Sequence, residues 1–162
     1  MINIGFFGTF LGSKQNYGTV QTFADIIRIH YGATVVAQPA GGKVQEEEIL
    51  ASIKACSKLD LAIVCHIDKI RAVNVTAYDT AVKAIDQYLL SHNIKCVHLI
   101  FERDVPEEWS FTSGPVNFEI PRFQVPSKYR THTTPEESDN CIGLAGNLLA
   151  GDILIKLIDS TL

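Results

Sequence analysis

What the sequence lacks narrows its reading first. No apolar run in the 162 residues reaches the length of about 20 that a bilayer-crossing helix needs, so no membrane association is expected. No basic segment leads into an apolar stretch and a cleavage site, so no signal peptide is expected and a cytoplasmic setting is the default. The four cysteines, Cys56, Cys65, Cys96 and Cys141, form no Cys-x-x-Cys pair, and the spacing of a zinc site is missing. Cys65 and Cys96 fall inside strand-like runs, where a thiol behaves as a small hydrophobe, and disulfides are not expected in a reducing compartment. The net charge is only −4, which argues against nucleic acid as a partner. Internal repeats, low-complexity stretches and domain-splitting linkers are all absent, so residues 1–162 read as a single domain that calls for no cofactor or metal.

What is present is ordinary globular composition, 46% hydrophobic and 20% charged, with enough length for a real core. Residues 2–7 form a short apolar run that ends in a turn bounded by Gly8 and Gly12, which allow positive φ and close backbone approach. A polar loop follows. Thr19 is read as an N-cap, and Val20, Phe23, Ile26, Ile27 and Tyr31 recur at helical spacing before Gly32, a C-terminal cap glycine. Residues 33–37 are a β-branched strand closed by Pro39, Gly41 and Gly42. Residues 44–56 read as a helix with an apolar stripe of Ile49, Leu50 and Ile53. Glu46, Glu47 and Glu48 lie in its first turn, where they complement the helix dipole as a solvated run.

Residues 59–65 are nearly all apolar, as in a central strand buried on both faces, and His66, Ile67 and Asp68 lie at its end. A helix over residues 77–91 turns Ala81, Val82, Ile85 and Leu89 inward, and residues 95–101 make a fourth strand. Residues 102–138 then hold five of the six prolines and the only tryptophan, Trp109. A structureless loop of that length is unusual in a compact domain, and residues 116–125 have room for a short edge strand. Its aromatics would serve as a cover or an interface. Residues 144–158 are apolar almost all round, which predicts a well-buried last helix.

Strands and helices alternating in this way predict an α/β fold: a three-layer αβα sandwich on a parallel sheet of four to five strands, flavodoxin-like in architecture. The commonest arrangement sets strand 1 between strands 2 and 3. Ligands then bind where the strand order reverses, which brings residues 8–12 beside His66 and Asp68, with Gly41 and Gly42 near.

Four stretches give the layout a resemblance to the SGNH (GDSL-type) hydrolase family, particularly its small phage-encoded members. They are residues 4–10 (Ile-Gly-Phe-Phe-Gly-Thr-Phe), residues 23–38 with glycines 41 and 42, residues 60–66, and residues 139–147 (Asp-Asn-Cys-Ile-Gly-Leu-Ala-Gly-Asn). The resemblance implies the same sandwich, an oxyanion site near Gly41 and Gly42, and a late block in which an Asp and a His precede a helix. The family's catalytic residues are not matched. The nucleophile position, aligned on Gly8, is Phe10, preceded by Thr9. The histidine position is Cys141 counted from Gly146 and Asn147, or Ile142 counted from Asp139. The Gly-x-Asn-Asp block is not recognisable at residues 66–68. Phenylalanine carries no attacking atom, and a thiol cannot take and return a proton as imidazole does.

The remaining candidates each have a plainer reading. Ser13 would be an alternative nucleophile with His66 or His132 as base, against a simple loop serine. His66 is the best-placed histidine, with Asp68 to orient it or to cap a turn. His30, His92 and His98 read as structural. Cys141 is a possible thiolate nucleophile or a buried inert thiol, and Asp139 a catalytic acid or a helix cap. Gly8, Thr9, Phe10, Gly41, Gly42 and His66 are the expected ligand-binding set. The leading expectation is a domain that kept the fold, dropped the chemistry and serves in binding or assembly, as a viral structural or accessory protein. Its partner is then another protein or a second copy, with a carbohydrate or small ester as a possible ligand, in the cytoplasm or in a virion. The alternative is an active esterase or acetylhydrolase built on Ser13, His66 and Asp68. A third reading, a flavodoxin-like or receiver-like binding domain, lacks the acidic cluster after strand 1 and the hydroxyl-rich phosphate loop.

Overall fold

The computed structural model describes residues 1–8, 22–37, 45–66, 73–100, 116–117 and 144–162. Within them the chain runs β1 (Asn3–Gly8), α1 (Phe23–His30), β2 (Thr34–Ala37), α2 (Glu46–Ala55), β3 (Leu61–His66), α3 (Val75–Ser91), β4 (Lys95–Ile100), β5 (Val116–Asn117) and α4 (Leu144–Thr161). The sheet order is β2-β1-β3-β4-β5, and every pairing is parallel. This is the flavodoxin-type order, with strand 1 between strands 2 and 3 as expected. The edge strand anticipated in residues 116–125 is the two-residue β5.

Period-2 alternation divides the core into two layers. Ile4, Phe6, Leu61, Ile63, Cys65, Val97 and Leu99 face α1 and α4, where Phe23, Ile27, Ala150, Leu154 and Ile158 meet them. Phe7, Ala62, Val64 and Cys96 face α2 and α3, against Ile49, Ile53, Ile85 and Leu89. Every residue of β3 is buried, as its continuous apolar run predicts.

Four helix readings are corrected. Helix α1 is capped by Thr22, not Thr19: its hydroxyl accepts the Asp25 N–H while the Asp25 carboxylate accepts the Thr22 N–H, a capping box. The sequence offers threonine at both positions, but only Thr22 has an acid three residues on. Helix α2 begins at Glu46 rather than at residue 44, and α3 begins at Val75 because the Asn74 side chain accepts the Ala77 N–H. The last helix is not buried all round. Asn147, Ala150, Leu154 and Ile158 are buried, but Leu148 and Leu149 are exposed, because only one side of α4 meets the sheet and α1. No helix among the described residues is long and apolar enough to cross a membrane.

Hydrogen bonds tie α1 to α4. The Asn147 side-chain oxygen accepts the Phe23 N–H at 2.9 Å inside the core, satisfying a first-turn amide that α1 cannot satisfy itself. The Tyr31 hydroxyl donates to Asp159 at 2.7 Å. Gly32, at φ +55, follows α1 in the left-handed conformation expected of a terminal glycine.

Candidate functional site

The carboxyl ends of β1 and β3 lie side by side. Gly8, the last residue of β1, pairs with Cys65, the neighbour of His66. Its φ is +99, and a Cβ there would stand 1.9 Å from the Cys65 carbonyl oxygen. Glycine is thus required at this strand end, as its place in the sequence suggested, and the reason is backbone against backbone.

Beside this strand end, four ionisable side chains form a buried chain on the face that carries α2 and α3. His66 is the last residue of β3 and shares that face with Ala62 and Val64. His98, in β4, shares it with Cys96. The register pairs Val64 with His98 and His66 with Ile100, so the two histidines are diagonal neighbours. His66 Nε2 lies 3.0 Å from His98 Nδ1, with the rings 16° from parallel. His66 Nδ1 lies 2.7 Å from Glu46 Oε2, and both side chains are completely shielded from solvent. At the other end, His98 Nε2 lies 3.9 Å from Asp86 Oδ1 on α3. A polar chain buried in this way is stable only when its members satisfy one another.

Local sequence explains each position. Glu46 precedes Ile49 by three residues and Ile53 by seven, so it lies on the apolar stripe of α2, over the sheet. The reading of Glu46–Glu48 as a solvated run is therefore corrected: Glu47 and Glu48 are exposed, but Glu46 is fully buried. The missed signal was the stripe itself, which extends back to Glu46 when the 3.6-residue period is continued. Asp86 follows Val82 by four residues and precedes Leu89 by three, at the edge of the α3 stripe.

Electrostatics follow from this packing. Burial and the neighbouring His66 push His98 well below its ordinary range, against the opposing pull of Asp86. Burial, with the Glu46 carboxylate second, pushes the Cys65 thiol up to about 12, so it is an inert member of the core. Cys65 and Cys96 are buried in the core, as their strand-like surroundings predicted.

His66, the best-placed histidine in the sequence, does occupy the strand end. Its orienting carboxylate is Glu46, and its second nitrogen is engaged by His98, which the sequence marked only as structural. Hydrogen bonds join Glu46, His66 and His98, and Asp86 stands beyond hydrogen-bond distance of His98; these four side chains include no hydroxyl or thiol nucleophile. Of the expected ligand-binding set, Gly8 and His66 are brought together. Ser13, Asp68, Asp139 and Cys141, together with Thr9, Phe10, Gly41 and Gly42, lie outside the described residues, as do His132 and Trp109. An open groove of about 530 Å³ runs elsewhere between α2 and α3, apolar at Leu50, Ala77 and Ala81 and polar at Glu47, Thr76 and Thr80. Among the described residues, no group of three or more His, Cys, Asp and Glu is arranged to hold a metal ion. No family model matches the chain, and no curated protein or solved structure matches it.

Proposed function

We propose that this chain is a catalytically degenerate SGNH-hydrolase-like domain that works by binding or assembly, in the cytoplasm or as a viral structural or accessory protein. The parallel sandwich with strand order 2-1-3-4-5 accommodates that reading, and so does Phe10 in the position of the attacking serine. The observation that carries it is the state of His66. A base for Ser13 needs a free ring nitrogen within reach of the hydroxyl. His66 has Glu46 on one nitrogen and His98 on the other, within the core.

The test combines p-nitrophenyl acetate turnover with light scattering. Wild-type protein is expected to hydrolyse the ester no faster than Ser13→Ala, and to self-associate or to co-elute with a partner. Turnover abolished by Ser13→Ala, in a variant whose circular dichroism is unchanged, would overturn the reading in favour of the esterase. A monomer that is inert in both assays would remove the assembly role.

A further inference from the structure

We propose that Glu46, His66, His98 and Asp86 form an acid-operated latch, in which a second proton on the imidazole pair breaks the His66–His98 hydrogen bond and releases the first turn of α2 from the sheet. This does not depend on whether the domain binds or hydrolyses.

The geometry at the centre of the chain sets the logic. His66 Nε2 and His98 Nδ1 face each other at 3.0 Å, so one must donate and the other accept. A neutral imidazole has one N–H and one lone pair; an imidazolium has two N–H groups and no lone pair. With Glu46 ionised, its carboxylate holds an N–H on His66 Nδ1. A neutral His66 then accepts from His98, and a cationic His66 donates to it. Either assignment satisfies the bond with at most one cation on the pair. When both rings are cationic, two N–H groups and two like charges face each other across the same 3.0 Å.

The surroundings decide what moves. α2 presents the Glu46 carboxylate, α3 presents Asp86 and carries the buried Tyr78, β4 carries Cys96, and β3 carries Cys65 toward the opposite layer. β1 contributes Phe7 and Gly8, which bear no charge. His98 lies within β4, where the backbone is paired on both sides by β3 and β5. His66 ends its strand and is bonded to Glu46, the first residue of α2. The Gln45 side chain makes no capping bond there, and Glu46 ties that turn to the sheet through His66. Repulsion between the rings is relieved by His66 and Glu46 moving together.

The sign of the pH effect follows from His98. Its folded affinity for a proton is lower than its ordinary value of 6.5, so the unfolded or released state binds more protons in acid. The contribution of His98 is level above about 6.5 and is lost as the pH falls below it.

Amide hydrogen exchange of the full chain, corrected for intrinsic rates, tests this between about pH 7.5 and about pH 5, the range in which histidine charge changes. The Glu48 and Ile49 amides, both bonded to the Gln45 carbonyl, report the first turn of α2, and Ile63 and Val97 in the sheet are internal references. The ratio of exchange at Glu48 and Ile49 to that of the references is expected to rise in acid, by at most about ten-fold per pH unit for a one-proton step. In His98→Gln, which does not titrate, the ratio is expected to stay flat. A flat ratio in the wild type, or the same rise in His98→Gln, overturns the proposal. If His98→Gln does not fold, imidazole nitrogen spectra of the wild type decide. They are expected to show an acceptor nitrogen on the pair at neutral pH and none once α2 is released; release with the acceptor still present overturns the latch.

Discussion

Replacing Glu46 by alanine isolates one buried charge from two solvated neighbours of the same type. Glu46 is fully shielded and bonded to His66 at 2.7 Å, whereas Glu47 and Glu48 are exposed on the same turn. Removing one partner of a buried hydrogen bond leaves the other unsatisfied, at a cost of about 1–3 kcal/mol and more where a charge is involved. Removing a solvated first-turn glutamate costs about 0.3–1 kcal/mol through the helix dipole. Glu46→Ala is therefore expected to cost several times as much as Glu47→Ala or Glu48→Ala. Against a total of about 5–15 kcal/mol for an ordinary domain, that is a large share. Urea unfolding followed by circular dichroism reads this as a lower midpoint at unchanged slope. Replacing both partners, as Glu46→Leu with His66→Leu, is expected to recover only part of the loss, since the apolar pair needs no mutual compensation but His98 loses its bond to His66. If Glu46→Ala were no more costly than its two neighbours, the buried pair would not hold α2 and the reasoning would fail.

Two further perturbations probe the supports of the site. Gly8→Ala places a Cβ against the Cys65 carbonyl in a left-handed backbone; conformational strain alone is about 1–3 kcal/mol, so a fall in melting temperature is expected, and an unchanged value would show that β1 and β3 can separate freely. Asn147→Leu leaves the buried Phe23 N–H without its acceptor. The expected cost is about 1–3 kcal/mol in urea unfolding, and a neutral result would mean that water or another group takes the place of the carboxamide.

Much of the fold was legible because its signals are local. The apolar run before His66 marked a central strand, and Ala81, Val82, Ile85 and Leu89 marked the inward side of α3. Alternation of strands and helices fixed the parallel sandwich, and Gly8 was recognised from its place at a strand end. Cap positions were not legible to the residue: the cap read at Thr19 lies at Thr22, where the Asp25 bonds set it.

By itself, then, the sequence determined the elements, their order and the sides that turn inward, because each depends on periodicity within a dozen residues. Tertiary structure alone decided that residues 46, 66, 86 and 98 would form one chain. Polar side chains carry no periodic mark of their partners. Their pairing is chosen by the strand register and by the elements that pack over it, at separations of 20 residues for Glu46 with His66 and 32 for His66 with His98.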